Sequence, residues 1–136
     1  MPDNLTAEQR RRNMAAIRSR HTKPEIVVRS IIHRLGFRFR LHVGSLPGKP
    51  DVVLNKYCSV VFVHGCFWHR HKGCRRCATP KSNQEYWNAK LAGNVKRDAK
   101  HIKDLKKLGW RVLVVWECEL KNIPKLEKKL LAFLAL

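Results

Sequence analysis

The chain has 136 residues, the size of one ordinary domain and enough to bury a core without cross-links. Its 29 Lys and Arg stand against 10 Asp and Glu, and the formal net charge of +19 is spread from Arg10 to Lys129, so a polyanion, DNA or RNA, is the expected partner. No stretch approaches the roughly 18 apolar residues of a membrane span, the start MPDNLTAEQRRRNM lacks a secretory apolar segment, and five cysteines are a poor disulfide framework, so a cytoplasmic monomer is expected.

Thr6 and Gln9 have the spacing of a capping box and open a first helix within residues 1–20. That helix carries Arg10, Arg11, Arg12, Arg18 and Arg20 but few apolar residues, Met14, Ala15 and Ile17, and is expected to order on its partner. A second capping box, Thr22 with Glu25, opens a helix whose Val27, Val28, Ile31, Ile32 and Leu35 form an apolar stripe ending at Gly36. Phe37, Phe39 and Leu41 alternate with arginines as a half-buried strand. After the SLPGKP loop, DVVLN and YCSVVFVH read as two strands joined near Asn55, completing an antiparallel meander. Residues 65–81 are rich in Cys, His, Arg and Gly and too polar for a core, so a metal is expected to organise them.

Ser82 and Glu85 start a further helix that Gly93 is expected to break, with Asn94 capping its successor to Leu108 and Gly109 as the stop. WRVLVVW has the length and valine content of a strand buried on both faces. Pro124 to Leu136 is amphipathic, with a basic outer face. The order α, α, β, β, β, loop, α, β, α, without a linker, predicts one α/β domain over 1–136, a mixed sheet flanked by helices.

Asp51, after Pro50 at a strand start, is ordinary turn chemistry on the dipeptide alone. It gains weight because the next strand ends at Val63 and His64, which would bring a backbone carbonyl and an imidazole alongside, and magnesium prefers oxygen ligands of this sort. Cys66, His71 and Cys74 are three zinc ligands in one short loop. The fourth is Cys77, in a local CxxC, or Cys118, far along the chain. Asp98 shares a helical stripe with Val95, Ile102 and Leu105, and an inward carboxylate needs a partner. Phe67, Trp68 and Trp87 lie in basic, polar surroundings where aromatics can wedge between bases, whereas Trp110, Trp116 and Cys58 read as packing residues.

The run VFVHGCFWHRH, with SLPGKPD before it and GWRVLVVWEC after it, resembles the very short patch repair (Vsr) endonucleases, and the likeness extends from about Arg12 to Cys118. The resemblance implies a restriction-endonuclease-like fold with a zinc-stapled loop and a magnesium-dependent nick beside the thymine of a T:G mismatch in duplex DNA. It assigns magnesium to Asp51 and the Val63 carbonyl, where relatives often have Thr, and proton transfer to His69. Support would come from His64, Glu25 and Asp98, with Asp98 orienting His69. It selects Cys118 as the fourth zinc ligand, places Phe67, Trp68 and Trp87 as wedges with Lys90 near the mismatched guanine, and sets Met14 and Ile17 in the minor groove. Mismatch-repair proteins and a repair polymerase are the protein partners it implies. Two other readings stay open on the residues alone: a non-catalytic, zinc-stabilised nucleic-acid binder, and a nuclease of the same fold with another DNA substrate.

Overall fold

In the computed structural model, residues 22–74 and 81–135 are described. Helix α1 (Lys23–Arg34) starts where Glu25 Oε2 accepts the Thr22 backbone N–H at 3.2 Å, and Gly36, at φ +90°, takes the left-handed exit that glycine adopts without Cβ strain. Strand β1 (Arg40–Leu41) is shorter than the alternation from Phe37 suggested, because His42 turns out of extended geometry at φ 49°. Phe37 and Phe39 still pack on the core, Phe37 edge-on to Tyr57 at 5.2 Å. Strand β2 (Val52–Leu54) passes through a 3-10 turn (Asn55–Tyr57) into β3 (Ser59–His64). Cys58, in the left-handed conformation at that turn, faces solvent, so the packing role expected of it does not hold.

The first three strands form the expected antiparallel meander, with Val52 opposite Val61. Strand β4 (Arg111–Trp116) joins parallel to β3, from Ser59↔Arg111 to His64↔Trp116, and among the described residues the strand order is β1-β2-β3-β4. Burial on both faces was expected of β4, yet only Val115 is fully buried, because an edge strand has one strand neighbour. Between β3 and β4 runs helix α2 (Gln84–Lys107), unbroken through Gly93. A glycine costs a helix interior only about 1 kcal/mol, and Asn94, expected as a cap, instead donates its side-chain amide to the Trp68 carbonyl at 3.1 Å.

Helix α3 (Ile123–Leu134) buries Leu126, Leu130 and Leu134, one stripe at spacing four. With α1 it covers the sheet face bearing Val52, Leu54, Val61 and Val115. The opposite face, with Val53, Val60 and Phe62, packs on Leu105 and Ile102 of α2. The result is an α/β sandwich with helices on both faces, and Asp51, His64 and Trp116 reach the same end of its sheet.

The loop before Asp51 is held against α2 at Gly48. This residue has φ +75°, and a Cβ there would lie 2.9 Å from His101 Cβ. Gly48→Ala is therefore expected to destabilise the fold by about 1–3 kcal/mol, from left-handed strain and displacement of His101, read as a lower urea midpoint with an unchanged m-value.

Candidate functional site

Asp51 leaves the loop through two left-handed residues, Gly48 and Lys49, and Oδ2 accepts the Val63 backbone N–H at 2.7 Å. In an extended strand a residue's N–H and C=O face the same side, so the Val63 carbonyl also faces the Asp51 side. Burial pushes the Asp51 carboxyl up to about 7; the Val63 N–H opposes this and the Glu25 carboxylate adds to it. A half-buried carboxylate beside a carbonyl is a donor set of the kind hard divalent cations take. Asp51, Val63, His64, His69 and Asp98 line one cleft of about 540 Å³.

His69 lies on the loop after β3 and pairs through Nδ1 with Asp98 Oδ2 at 2.6 Å. Its ring stacks on His64 at 3.8 Å and 7°. His64 is 5% exposed, and burial, with the neighbouring His69, lowers its pKa to about 4, leaving it neutral. Asn94 and Asp98, four apart on α2, share one helix face and grip successive loop residues, Trp68 and His69. Asn94 was read only as a cap, although its spacing to Asp98 was a signal that both face the loop.

Glu25 is 2% exposed and does more than cap α1, for its Oε1 lies 2.6 Å from His42 Nε2. Ligand atoms of Glu25, His42 and Asp51 fall within 4.8 Å of one another. His42 and His101, which also line the cleft, were not picked out from the sequence, since no spacing motif marks either.

The second centre gathers Cys66, His71, Cys74 and Cys118, with ligand atoms within 4.8 Å of one another and Cys118 Sγ 3.4 Å from His71 Nδ1. The loop winds around it through His69 N–H to Gly65 O, His71 N–H to Cys66 O and Cys74 N–H to His71 O, with Arg70 and Gly73 left-handed. Burial pushes the Cys66 thiol up to about 12, so a thiolate there calls for a cation. Three sulfurs and an imidazole suit zinc in a closed tetrahedron. Cys77 lies outside the described residues. Trp116, expected in the core, instead stacks on His71 at 4.2 Å, while Trp110 does pack in the core.

Phe67, Trp68 and Trp87 form one half-buried cluster, with ring centroids 5.1–6.0 Å apart. Tyr86, missed despite adjoining Trp87, extends it edge-on at 5.2 Å and is 56% exposed. Lys90 stands 5.7 Å over the Trp68 ring. Met14 and Ile17, with the rest of the expected first helix, lie outside the described residues.

The family model for DNA mismatch endonuclease Vsr matches residues 2–76. The chain is 44% identical over 126 residues to the DNA mismatch endonuclease Vsr of Escherichia coli K12, covering 93% of this chain and 80% of that protein. It is 49% identical over 130 residues to the type II nicking enzyme V.XorIIP of Xanthomonas oryzae, covering 96% and 95% respectively. The catalytic domain of the homing endonuclease I-Bth0305I shares the fold, with a TM-score of 0.58 and 22% identity over 83% of this chain and 94% of that domain. With sheet, cleft and loop arranged as described, these likenesses identify the chain as a DNA endonuclease belonging to the Vsr mismatch endonuclease family.

Proposed function

We propose that this protein nicks one strand of duplex DNA beside the thymine of a T:G mismatch, the first step of very short patch repair. The observation that carries this reading is the His69–Asp98 pair at 2.6 Å, in the same cleft as Asp51. Asp98 accepts the Nδ1 proton, which leaves Nε2 of His69 with a lone pair for the proton of an attacking water. As the water oxygen bonds to phosphorus, the P–O bond to the leaving strand breaks. His64, neutral and stacked beneath, holds the His69 ring flat. Asp51 and the Val63 carbonyl would hold magnesium, which when bound polarises the scissile phosphate, and Glu25 completes the acidic wall.

Cys66, His71, Cys74 and Cys118 would hold a structural zinc, which with four protein ligands would leave no open position and would staple the loop carrying Phe67, Trp68 and His69 to the turn after β4. The aromatic cluster wedges beside the mismatch, where unstacking costs least, and Lys90 lies toward the guanine. Met14 and Ile17 enter the minor groove. Acting on chromosomal DNA, a monomer would work in the cytoplasm and hand the nick to a repair polymerase and mismatch-repair proteins.

The test is strand-resolved cleavage of T:G, matched and branched duplexes with and without magnesium. One nick in the T:G duplex alone, dependent on magnesium, is expected; equal cutting of matched DNA removes the mismatch specificity, and binding without cutting leaves a zinc-stabilised binder. Trp68→Ala is expected to weaken T:G binding by about 5- to 150-fold, the worth of one base stack, with matched-duplex affinity nearly unchanged in a fluorescence anisotropy titration.

A further inference from the structure

We propose that His42 is a positioning residue for the Asp51 site: it holds Glu25 as the second carboxylate facing Asp51 and so sets how tightly a divalent cation binds there. The inference rests on the nuclease reading of the cleft and deepens it. His42 leaves β1 at φ 49°, a conformation that costs a non-glycine residue about 1–2 kcal/mol and turns its ring back toward α1. The side chain is 16% exposed, and its Nε2 lies 2.6 Å from Glu25 Oε1, within ion-pair distance of the carboxylate.

The other Glu25 oxygen accepts the Thr22 backbone N–H at 3.2 Å. One oxygen is thus hydrogen-bonded from the start of α1, and the other is crowded by the His42 ring at the exit of β1, which limits how far the carboxylate can swing. Glu25 is itself 2% exposed, so water is a poor substitute for either neighbour. This carboxylate stands with His42 and Asp51 in one group of ligand atoms spanning no more than 4.8 Å. A cation at Asp51 meets a wall whose second negative group is fixed before it arrives. Groups that orient metal-facing side chains typically change affinity or activity by about 10- to 100-fold when removed.

The experiment compares His42→Ala, His42→Gln, Glu25→Gln and the His42→Ala/Glu25→Gln double variant. It uses two readouts: the magnesium dependence of T:G nicking, and DNA-free Mn²⁺ binding followed by the paramagnetic signal of the free ion. His42→Ala is expected to need about tenfold more magnesium for half-maximal nicking and to weaken Mn²⁺ binding to match, with duplex affinity in metal-free buffer unchanged. His42→Gln, whose amide can donate to Glu25, recovers most of the loss, and the double variant is no worse than Glu25→Gln alone. Native cation dependence in His42→Ala, equal losses in the Gln and Ala variants, or additive losses with Glu25→Gln overturn the proposal. If His42→Ala does not fold, His42→Asn, polar but too short to reach Glu25, takes its place with the same expected losses. Because the Mn²⁺ titration needs no DNA, a native protein that fails to nick but binds Mn²⁺ less tightly after the substitution overturns the nicking reading and supports this one.

Discussion

Asp51→Asn is expected to lower nicking of T:G duplexes by about 10³-fold or more, with mismatch binding nearly intact. The substitution keeps the shape of the side chain and one oxygen for the Val63 N–H, seated at 2.7 Å in the native protein, while removing the charge that a cation requires. Loss of several kcal/mol of transition-state charge stabilisation corresponds to about a thousandfold in rate. Single-turnover cleavage of a duplex labelled on each strand checks the rate, and anisotropy checks the binding. Native-like nicking by this variant would remove Asp51 from the centre of the site. His69→Ala is the companion variant: loss of a general base is worth about 10²–10⁴-fold, again without loss of the fold, because the ring is 28% exposed.

Cys66→Ser is expected to be the most damaging single change to the fold. Cys66 is the fully buried member of the four-residue set, and structural zinc contributes on the order of 10 kcal/mol of apparent binding energy in small domains. That is comparable to the whole 5–15 kcal/mol stability of an ordinary domain. The variant should hold less than one zinc, melt far below the native protein, and lose nicking because the loop bearing Trp68 and His69 is no longer fixed. Elemental analysis and thermal melting are the measurements. The same assay decides the fourth ligand: Cys118→Ser should lose zinc, and Cys77→Ser should keep one per chain. The reverse result would exchange their roles.

Helix stripes and strand alternation carried most of the architecture. Val28, Ile31 and Ile32 on α1, and the meander through Val52 and Val61, are where period and turn residues place them. Local signals erred where tertiary contacts decide. Gly93 and Asn94 looked like a helix break because their sequence neighbourhood holds no trace of the Trp68 carbonyl that Asn94 meets. The continuous valines of β4 looked doubly buried, although only strand order shows that it lies at an edge. At the site, motif residues such as Asp51, His69 and Asp98 were legible. His42 was not, since its contribution depends on a left-handed backbone that no composition rule assigns to histidine. Cys118 could be favoured only by resemblance, for parallel pairing with β3 brings it beside His71, and pairing is invisible in local spacing.

The register from Ser59↔Arg111 to His64↔Trp116 also fixes when the site can exist. Asp51, His64 and His69 all precede α2 in the chain, whereas Asp98 and Cys118 arrive only with α2 and the segment after β4. A ribosome-bound chain that has emerged as far as residue 80 contains strands β1 to β3 and the loop, but neither the carboxylate paired with His69 nor the sulfur beside His71. On the proposed reading, cutting competence would wait for both α2 and the segment after β4 to dock.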